Sequence, residues 1–307
     1  MGTPQFAVVS LRKLLYKNIN IVSVVTATDK PAGRGRKLNI SPVKEFALKN
    51  NLPVLQPENL RDPDFINKLH LLKPDLIIVV AFRILPPEVF MIPPEGTINL
   101  HASLLPKYRG AAPINWAIIN GEEETGVTTF FITKKVDTGN LIETRRVRIF
   151  PDMTAGELYD LLAEIGADLI VETIHLIRKG HVRIKIQDNR RATKAPKIFP
   201  KDCQINFNQT PKKVHDFIRG LSPHPAAYTF LCGEQLRLFK TKTSTESTPG
   251  AVTGEIVALP NNKIIRIQCV SGSIEVAEVQ LAGKKRMSVD AFMRGHKINP
   301  GTILGEK

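Results

Sequence analysis

The sequence predicts an α/β protein in which a doubly wound, mostly parallel sheet precedes a small β-barrel. Two observations lead to this fold class. In the first half, short apolar and β-branched runs alternate with helical patterns, as in a parallel sheet covered by helices. In the second half, one helical pattern precedes several short β-like segments separated by Gly and Pro. We therefore expect a first domain over residues 1–184, a linker over 185–204 and a second domain over 205–307.

Four apolar runs are candidate strands of the first domain. Ile19–Thr26 is rich in β-branched residues and Asp75–Val80 contains Leu-Ile-Ile-Val-Val, so both are expected to be buried strands. Thr97–Leu100 and Val127–Ile132 are shorter candidates. Because helical patterns lie between these runs, the sheet is predicted to be mostly parallel.

The helices between these strands carry start signals. Thr3-Pro4 and Ser41-Pro42 each place a capping residue before a proline at the first helical position. A long helical periodicity runs from Thr154 to about Arg178 and ends at Gly180. A doubly wound domain normally opens with a strand, yet this chain begins where the first helix is expected. We therefore expect the first strand to be missing, through a late start site or a truncation, with an unpaired gap inside the sheet.

The second domain begins after a polar, basic stretch near Lys185–Lys201 that contains two prolines and little periodicity. A helix is predicted over Pro211–Leu221. Short strands are predicted after it, over Ala226–Leu231, Leu236–Thr241, Gly254–Leu259, Ile264–Val270 and Ser273–Gln280.

Charge and composition limit the function classes. The net charge of +14 lies mainly after residue 180, which suggests a nearly neutral catalytic body joined to a polyanion-binding module; a solvated basic surface is the open alternative. No apolar run is long enough to suggest a membrane span. Three cysteines, odd in number and far apart, show neither a disulfide framework nor metal-ligand spacing and fit a reducing cytosol.

The candidate catalytic residues follow two predicted strands. Asn99 and His101 are two positions apart at a strand end, so their side chains are expected on the same side, at the sheet edge where ligands of open parallel sheets bind. Asp137, in Val-Asp-Thr-Gly, follows the neighbouring strand. Taken alone, an Asn-x-His pair more often consists of hydrogen-bonded structural residues. An Asp-Thr-Gly taken alone more often forms a turn.

Their chemistry suits acyl transfer between two nitrogens. Such a reaction needs a neutral attacking amine, a donor for the oxyanion of the tetrahedral intermediate, and a proton for the leaving nitrogen. Asn99 can donate to the oxyanion, and His101 can share that task or move protons. Asp137 can orient His101 or accept the amine proton through a water. Which group takes the first proton stays open.

The string Asn99-x-His101-x-Ser-Leu-Leu-Pro and the later Asp137-Thr-Gly resemble the signature of formyltransferases that use 10-formyltetrahydrofolate. The resemblance covers nearly the whole chain and implies catalytic roles for Asn99, His101 and Asp137, with a folate co-substrate and no metal. Tyr108-Arg-Gly-Ala-Ala-Pro-Ile resembles the tRNA and nucleotide-sugar branches of this family. Gly283-Lys-Lys-Arg-Met-Ser resembles a C-terminal segment of the tRNA branch.

The resemblance also implies a folate pocket. One part is the loop Ala81-Phe-Arg-Ile-Leu-Pro, where this chain is one residue shorter than the usual family pattern and has Arg83 in place of Gly. The other part is the Ser-Leu-Leu-Pro string. The residues expected to bind the co-substrate are Phe82, Ile84, Leu85, Ser103, Leu104, Leu105 and Pro106.

The acceptor implied by the resemblance is the amino group of methionyl initiator tRNA. The loop from Lys30 to Lys37 contains glycines and carries four cations, a composition suited to binding phosphates and unstacked bases. The alternative is a solvated surface loop with no binding role. In the tRNA branch a matching loop enters at the acceptor end, and an OB-like C-terminal barrel follows the inside of the tRNA. The expected tRNA-binding residues are Lys30, Arg34, Arg36, Lys37, Lys212, Lys213, Lys284, Lys285 and Arg286.

We expect a monomer that acts in the cytoplasm, away from membranes. Two alternatives stay open. One is an enzyme of the same family with another acceptor, such as a nucleotide sugar or glycinamide ribonucleotide, or a formylfolate hydrolase. The other is a catalytically silent tRNA-binding protein, against which the intact Asn99, His101 and Asp137 argue.

Overall fold

A computed structural model describes residues 1–32 and 37–305, and it divides them into two compact units. Unit 1 comprises residues 1–110, 125–147 and 159–195, and unit 2 comprises residues 111–124, 148–158 and 196–307, of which 306 and 307 are not described. The chain therefore enters each unit more than once, whereas the predicted domains are contiguous. Residues 185–204, predicted as a linker, are shared between the two units.

The helices and strands follow in chain order. The helices are α1 (Gln5–Tyr16), α2 (Pro42–Lys49), α3 (Pro63–Leu72), α4 (Pro87–Phe90), α5 (Pro113–Ile119), α6 (Ala155–Arg178), α7 (Pro211–Leu221) and α8 (Val289–Met293). The strands are β1 (Val24–Val25), β2 (Lys30–Ala32), β3 (Lys37–Asn39), β4 (Val54–Leu55), β5 (Ile77–Val80), β6 (Thr97–His101), β7 (Arg109–Gly110), β8 (Glu124–Phe131), β9 (Leu141–Arg148), β10 (Lys194–Ala195), β11 (Ala227–Leu231), β12 (Glu234–Leu238), β13 (Thr241–Ser244), β14 (Ile256–Ala258), β15 (Ile265–Cys269), β16 (Gly272–Val276), β17 (Glu278–Leu281) and β18 (Met287–Ser288).

The central sheet of unit 1 has the strand order β5-β6-β8-β9. β5 and β6 are parallel and β8 joins β6 antiparallel, while β1 pairs in parallel with β4. The predicted strand Ile19–Thr26 is therefore shorter in the structure, since only Val24 and Val25 pair with a neighbouring strand. This mixed α/β arrangement places the carboxyl end of β6 at one edge of the sheet.

The predicted gap at the first strand holds the first two residues of the chain. Gly2 forms a parallel bridge to Val80 and donates its backbone N–H to the Val25 carbonyl at 3.0 Å, so it lies between β5 and β1. A Cβ at Gly2 would meet the Val80 carbonyl oxygen at 2.8 Å, which explains the glycine. Beside it lies a cavity of about 180 Å³, lined by parts of α1, residues 19–24 and residues 73–78.

The predicted capping signal of α2 is confirmed, that of α1 is displaced, and α6 has a cap that was not predicted. The Ser41 hydroxyl accepts from the Lys44 N–H at 3.0 Å. Thr154 and Glu157 exchange hydrogen bonds at the start of α6, which is a capping box. In α1, by contrast, Pro4 itself occupies the capping position and no side chain caps the helix. That start differs by one residue from the prediction.

Unit 2 contains two antiparallel sheets, with strand orders β11-β12-β17-β18 and β13-β16-β15-β14. Their inward-facing residues and α7 form one apolar core. The predicted helix Pro211–Leu221 is confirmed, whereas the predicted strands Leu236–Thr241 and Ser273–Gln280 each correspond to two strands. α5 packs against α7 at Gly220, whose carbonyl accepts from the Asn115 amide at 2.8 Å. Within the described residues, no helix has the length and apolar character needed to cross a membrane.

Candidate active site

Asn99 and His101 lie on β6, between β5 and β8. Asn99 pairs with Val79 and Phe130, and His101 pairs with Thr128. Their two-residue spacing on a strand directs both side chains to the same side of the sheet. Asn99 is half-buried, and among the described residues its amide group has no hydrogen-bond partner. A donor of this kind is available to an oxygen atom of a ligand.

The His101 ring is buried and is held by a backbone group. Its Nε2 lies 2.8 Å from the Tyr108 carbonyl oxygen, and since a carbonyl only accepts, Nε2 carries a proton. The other nitrogen, Nδ1, lies 3.9 Å from Asp137 Oδ2. This distance is too long for a hydrogen bond but close enough for a strong electrostatic interaction once Nδ1 is protonated. The geometry leaves Nδ1 as the ring nitrogen that faces a carboxylate.

Asp137 occupies a tight turn after β8. Its backbone is in the left-handed region, with φ 53°, and its side chain is 10% exposed. Oδ2 accepts from the Gly110 N–H at 2.9 Å. At Gly139 a Cβ would lie 1.6 Å from the Phe131 carbonyl oxygen, so the Asp-Thr-Gly turn requires glycine there. The turn thus aims a fixed carboxylate at His101.

The Gly110 donor is itself held in place by a distant segment. β7 pairs in parallel with β10, with Arg109 opposite Lys194 and Gly110 opposite Ala195. The Thr193 hydroxyl accepts from the Tyr108 N–H at 2.8 Å, and the Thr193 carbonyl accepts from the Arg109 N–H at 2.9 Å. The Tyr108 carbonyl that binds His101 therefore depends on residues predicted to be a linker.

A second contact from that segment comes from Gln187, whose side chain is buried. Its amide donates to the carbonyl oxygens of Asp137 at 2.9 Å and Gly139 at 2.7 Å. Its oxygen accepts from the Arg109 guanidinium, at 3.2 Å from Nε and 2.6 Å from an Nη. The sequence analysis missed Gln187 and Thr193, because no local pattern marks them and their partners are about 50 to 85 residues away.

The Ser-Leu-Leu-Pro string forms a loop with both buried and accessible members. The Ser103 hydroxyl is fully buried and donates to the Lys107 carbonyl at 2.6 Å, while Leu105 packs with Phe130 and Leu141. Leu104 and Pro106 are half-buried. Ser103 and Leu105 therefore shape the loop from within, and Leu104 and Pro106 are the members with accessible surface.

The other predicted part of the folate pocket lies after β5. Leu85 is buried and Phe82 half-buried in an apolar cluster with Val79, whereas Ile84 is 73% exposed. Arg83, the departure from the family pattern, donates to the carbonyls of Pro57 at 2.7 Å and Glu58 at 2.8 Å. Its guanidinium thus ties this loop to the chain after β4.

The predicted tRNA-binding loop begins at β2 and ends at β3, and these two strands pair antiparallel. Lys30 and Lys37 belong to these strands, and Arg34 and Arg36 lie outside the described residues. Just before β2, hydrogen bonds from the Lys44 ammonium, which has the larger effect, and from the Gln56 amide hold the pKa of the Asp29 carboxyl below its usual value. These two contacts join the residue before β2 to α2 and to the chain after β4.

In unit 2 the predicted tRNA-binding cations divide into two groups. Lys213, Lys284 and Lys285 are exposed. Lys212 is also exposed but pairs with Asp216 at 2.7 Å, and Arg286 pairs with Glu278 and lies 4.3 Å from the ring centroid of Phe239. The first group can reach a phosphate directly, whereas the second must first exchange an internal partner. No grouping of three or more His, Cys, Asp or Glu able to hold a metal occurs in the described part of the chain.

The fold and this Asn-His-Asp site define the class of protein. A protein-family model described as "Formyl transferase" matches residues 1–174. A second model, described as "Formyl transferase, C-terminal domain", matches residues 197–297. The chain therefore belongs to the formyl transferase family. The sequence-based assignment to a formyltransferase is confirmed.

Curated relatives narrow the comparison within that family. The methionyl-tRNA formyltransferase of Clostridioides difficile is 44% identical over 306 residues, covering 99% of this chain and 98% of that protein. The protein of the same name from Bacteroides thetaiotaomicron is 45% identical, covering 98% of this chain and 96% of that protein. The similarity thus extends through both units.

Solved structures share the fold. A sugar 3-N-formyltransferase determined with dTDP and 5-N-formyl-THF superposes with a TM-score of 0.66 at 24% identity, covering 92% of this chain and 97% of that one. An N-formyltransferase from Helicobacter canadensis, in complex with folinic acid and dTDP-3-aminofucose, gives a TM-score of 0.65 at 23% identity, covering 90% and 96%. At these identities the likeness supports the fold alone.

Proposed function

We propose that this chain transfers the formyl group of 10-formyltetrahydrofolate to the amino group of methionyl initiator tRNA. The observation that carries the proposal is the assembly of Asn99, His101 and Asp137 at the end of β6, with His101 Nδ1 facing the Asp137 carboxylate at 3.9 Å. The full-length similarity to proteins named methionyl-tRNA formyltransferase supports the choice of acceptor.

Each residue of the trio meets one demand of the reaction. The neutral amine attacks the formyl carbon, so that a new C–N bond forms and the carbonyl oxygen becomes an oxyanion. The Asn99 amide donates to this oxyanion. The amine proton passes to the pair formed by Asp137 and His101, and a proton is delivered to the folate nitrogen as its C–N bond breaks. The products are formylated methionyl-tRNA and tetrahydrofolate.

The proton route follows from the hydrogen bonds around His101. Nε2 is committed to the Tyr108 carbonyl, so Nδ1 is the ring position that gains and loses a proton. When protonated, Nδ1 faces the carboxylate of Asp137, which stabilises the imidazolium. Asp137 therefore orients His101 and balances its charge.

The acceptor is proposed to bind through cations of both units. The loop containing Lys30, Arg34, Arg36 and Lys37 contacts the acceptor end, and the exposed Lys213, Lys284 and Lys285 contact phosphates. Lys212 and Arg286 join them after exchanging Asp216 and Glu278 for phosphate oxygens. The chain acts as a monomer in the cytoplasm.

The test is a formyl-transfer assay with 10-formyltetrahydrofolate and either methionyl initiator tRNA or a dTDP-amino sugar. We expect formylated methionyl-tRNA and no formylated sugar; the reverse outcome would assign the chain to a sugar acceptor.

Arg34→Ala should raise the KM for tRNA without changing the KM for folate. The slope of log kcat/KM against log salt should fall by about 1 for each phosphate contact removed, and a slope of zero in the unsubstituted chain would contradict the electrostatic part of the proposal.

A further inference from the structure

The segment after α6, predicted as a linker, supplies the buried Gln187 side chain to the Asp137 turn. All the hydrogen-bonding capacity of this side chain is directed at the site. Two N–H groups donate to the carbonyls of Asp137 and Gly139, and the oxygen accepts from Arg109. A buried amide with every group satisfied fixes its partners relative to one another.

A primary amide is the side chain that fits these three partners. Two carbonyl oxygens require two donors, and a guanidinium requires an acceptor. A carboxylate at residue 187 would keep the contact to Arg109 but would face two carbonyl oxygens without a proton to donate. Lysine would donate but could not accept from Arg109. An isosteric Met would fill the space and lose every hydrogen bond.

Inside the turn that Gln187 holds, the Thr138 hydroxyl donates to the Lys135 carbonyl at 3.0 Å, whereas the carbonyls on either side of Thr138 both accept from Gln187. Asp137 is left-handed and Gly139 is pressed against the Phe131 carbonyl. The carboxylate of Asp137 accepts from the N–H of Gly110, and Gly110 follows Arg109, the other partner of Gln187. Gln187, Arg109, Gly110 and Asp137 thus form a closed ring of contacts around the carboxylate that faces His101.

We propose that Gln187 is a positioning residue that sets the direction of the Asp137 carboxylate toward His101. The inference rests on the proposed formyl transfer, and it makes Gln187 part of the support of the active site. A displacement of about 1 Å in a catalytic group can lower a rate by about 100-fold, so loss of this ring should be visible in the chemical step.

A double-substitution cycle on the full-length chain tests the proposal. Single-turnover formylation of methionyl-tRNA is measured for the unsubstituted chain, Gln187→Glu, Asp137→Asn and the double variant. We expect Gln187→Glu to slow the chemical step by about 10- to 100-fold. Because it acts through Asp137, it should slow the Asp137→Asn variant by no more than about twofold. Equal losses in the two backgrounds would overturn the proposal.

Asn189→Ala is the matched control, since Asn189 also accepts from Arg109, at 2.8 Å, but within the described residues it makes no hydrogen bond to the Asp137 turn. It should retain the unsubstituted rate, and a loss equal to that of Gln187→Glu would assign the effect to Arg109 alone. The KM for folate should match in all variants, and thermal unfolding should show that each variant is folded at the assay temperature. If Gln187→Glu and Gln187→Met both fail to fold, Gln187 serves the fold and the proposal is wrong. An unsubstituted chain without activity on methionyl-tRNA would instead reject the proposed function.

Discussion

The two halves of the candidate site are built in opposite ways. Asn99 and His101 are two positions apart on one strand, so the periodicity of β6 places their side chains on the same side of the sheet. Asp137 lies in a left-handed turn held by Gly110 and Gln187, which are 27 and 50 residues away in sequence. Neighbouring residues thus determine the strand end, whereas contacts between residues distant in sequence hold the Asp137 turn. A substitution at the strand end should damage chemistry alone, and one around the turn should damage chemistry and folding together.

The largest effect is expected at the strand end. Asn99→Ala removes the proposed oxyanion donor, and kcat should fall by about 100- to 1000-fold. Because the Asn99 amide makes no hydrogen bond within the described residues, the thermal unfolding temperature should stay within measurement error of the unsubstituted chain. Steady-state kinetics with methionyl-tRNA and differential scanning calorimetry give the two values.

Asn99→Asp is the control for that variant, because it keeps the shape of the side chain and an ionised carboxylate cannot donate. It should lose at least as much activity as Asn99→Ala. A decrease of less than tenfold in both variants would remove Asn99 from the catalytic trio. A large loss of stability would show that the strand end is not the independent structure described above.

This contrast also explains how far the sequence predicts the molecule. β6, α2 and α7 follow from apolar periodicity and capping residues, which are local signals. The trio of Asn99, His101 and Asp137 could be proposed because these residues lie in two short motifs that follow predicted strands and resemble the formyltransferase signature. Where these residues converge is shown only by the fold.

The supports of the Asp137 turn could not be predicted in this way. Residues 185–195 are polar, basic and aperiodic, which are the properties of a linker. Their role comes from the parallel pairing of β10 with β7 and from the Gln187 amide, and both join segments about 80 residues apart. A strand of two residues has no periodicity to detect, and one buried Gln resembles any surface Gln in sequence.

A smaller loss of activity, accompanied by a loss of stability, is expected in the Asp137 turn. In Gly139→Ala the new Cβ would lie 1.6 Å from the Phe131 carbonyl oxygen, so the backbone must move and the Gln187 contact to Gly139 must lengthen. We expect a loss of about 1–3 kcal/mol in the free energy of unfolding. The accompanying shift of Asp137 should lower kcat by about 100-fold. Denaturant unfolding and single-turnover kinetics measure the two losses.

Gly295→Ala provides the comparison for that variant, since the nearest atom to a Cβ there is 4.0 Å away and its φ is not in the left-handed region. It should change neither stability nor activity appreciably. If Gly139→Ala lost activity at unchanged stability, the turn would behave like the strand end, and the distinction between the two halves would fail.

The smallest effect is expected at Thr193, the outermost support. Thr193→Val removes the hydroxyl that accepts from the Tyr108 N–H at 2.8 Å, while the backbone bond from Arg109 to the Thr193 carbonyl remains. Loss of one neutral hydrogen bond should lower stability by about 1 kcal/mol. The Tyr108 carbonyl accepts from His101, so kcat should also fall, but by less than tenfold because Arg109 and Gly110 stay paired with β10.

Thr193→Ser is the control for Thr193→Val, because it keeps the hydroxyl acceptor and should restore both values. If Thr193→Val instead matched Asn99→Ala in kcat, the position of His101 would depend on the long-range support as strongly as Asp137 does, and β6 alone would not explain the strand end.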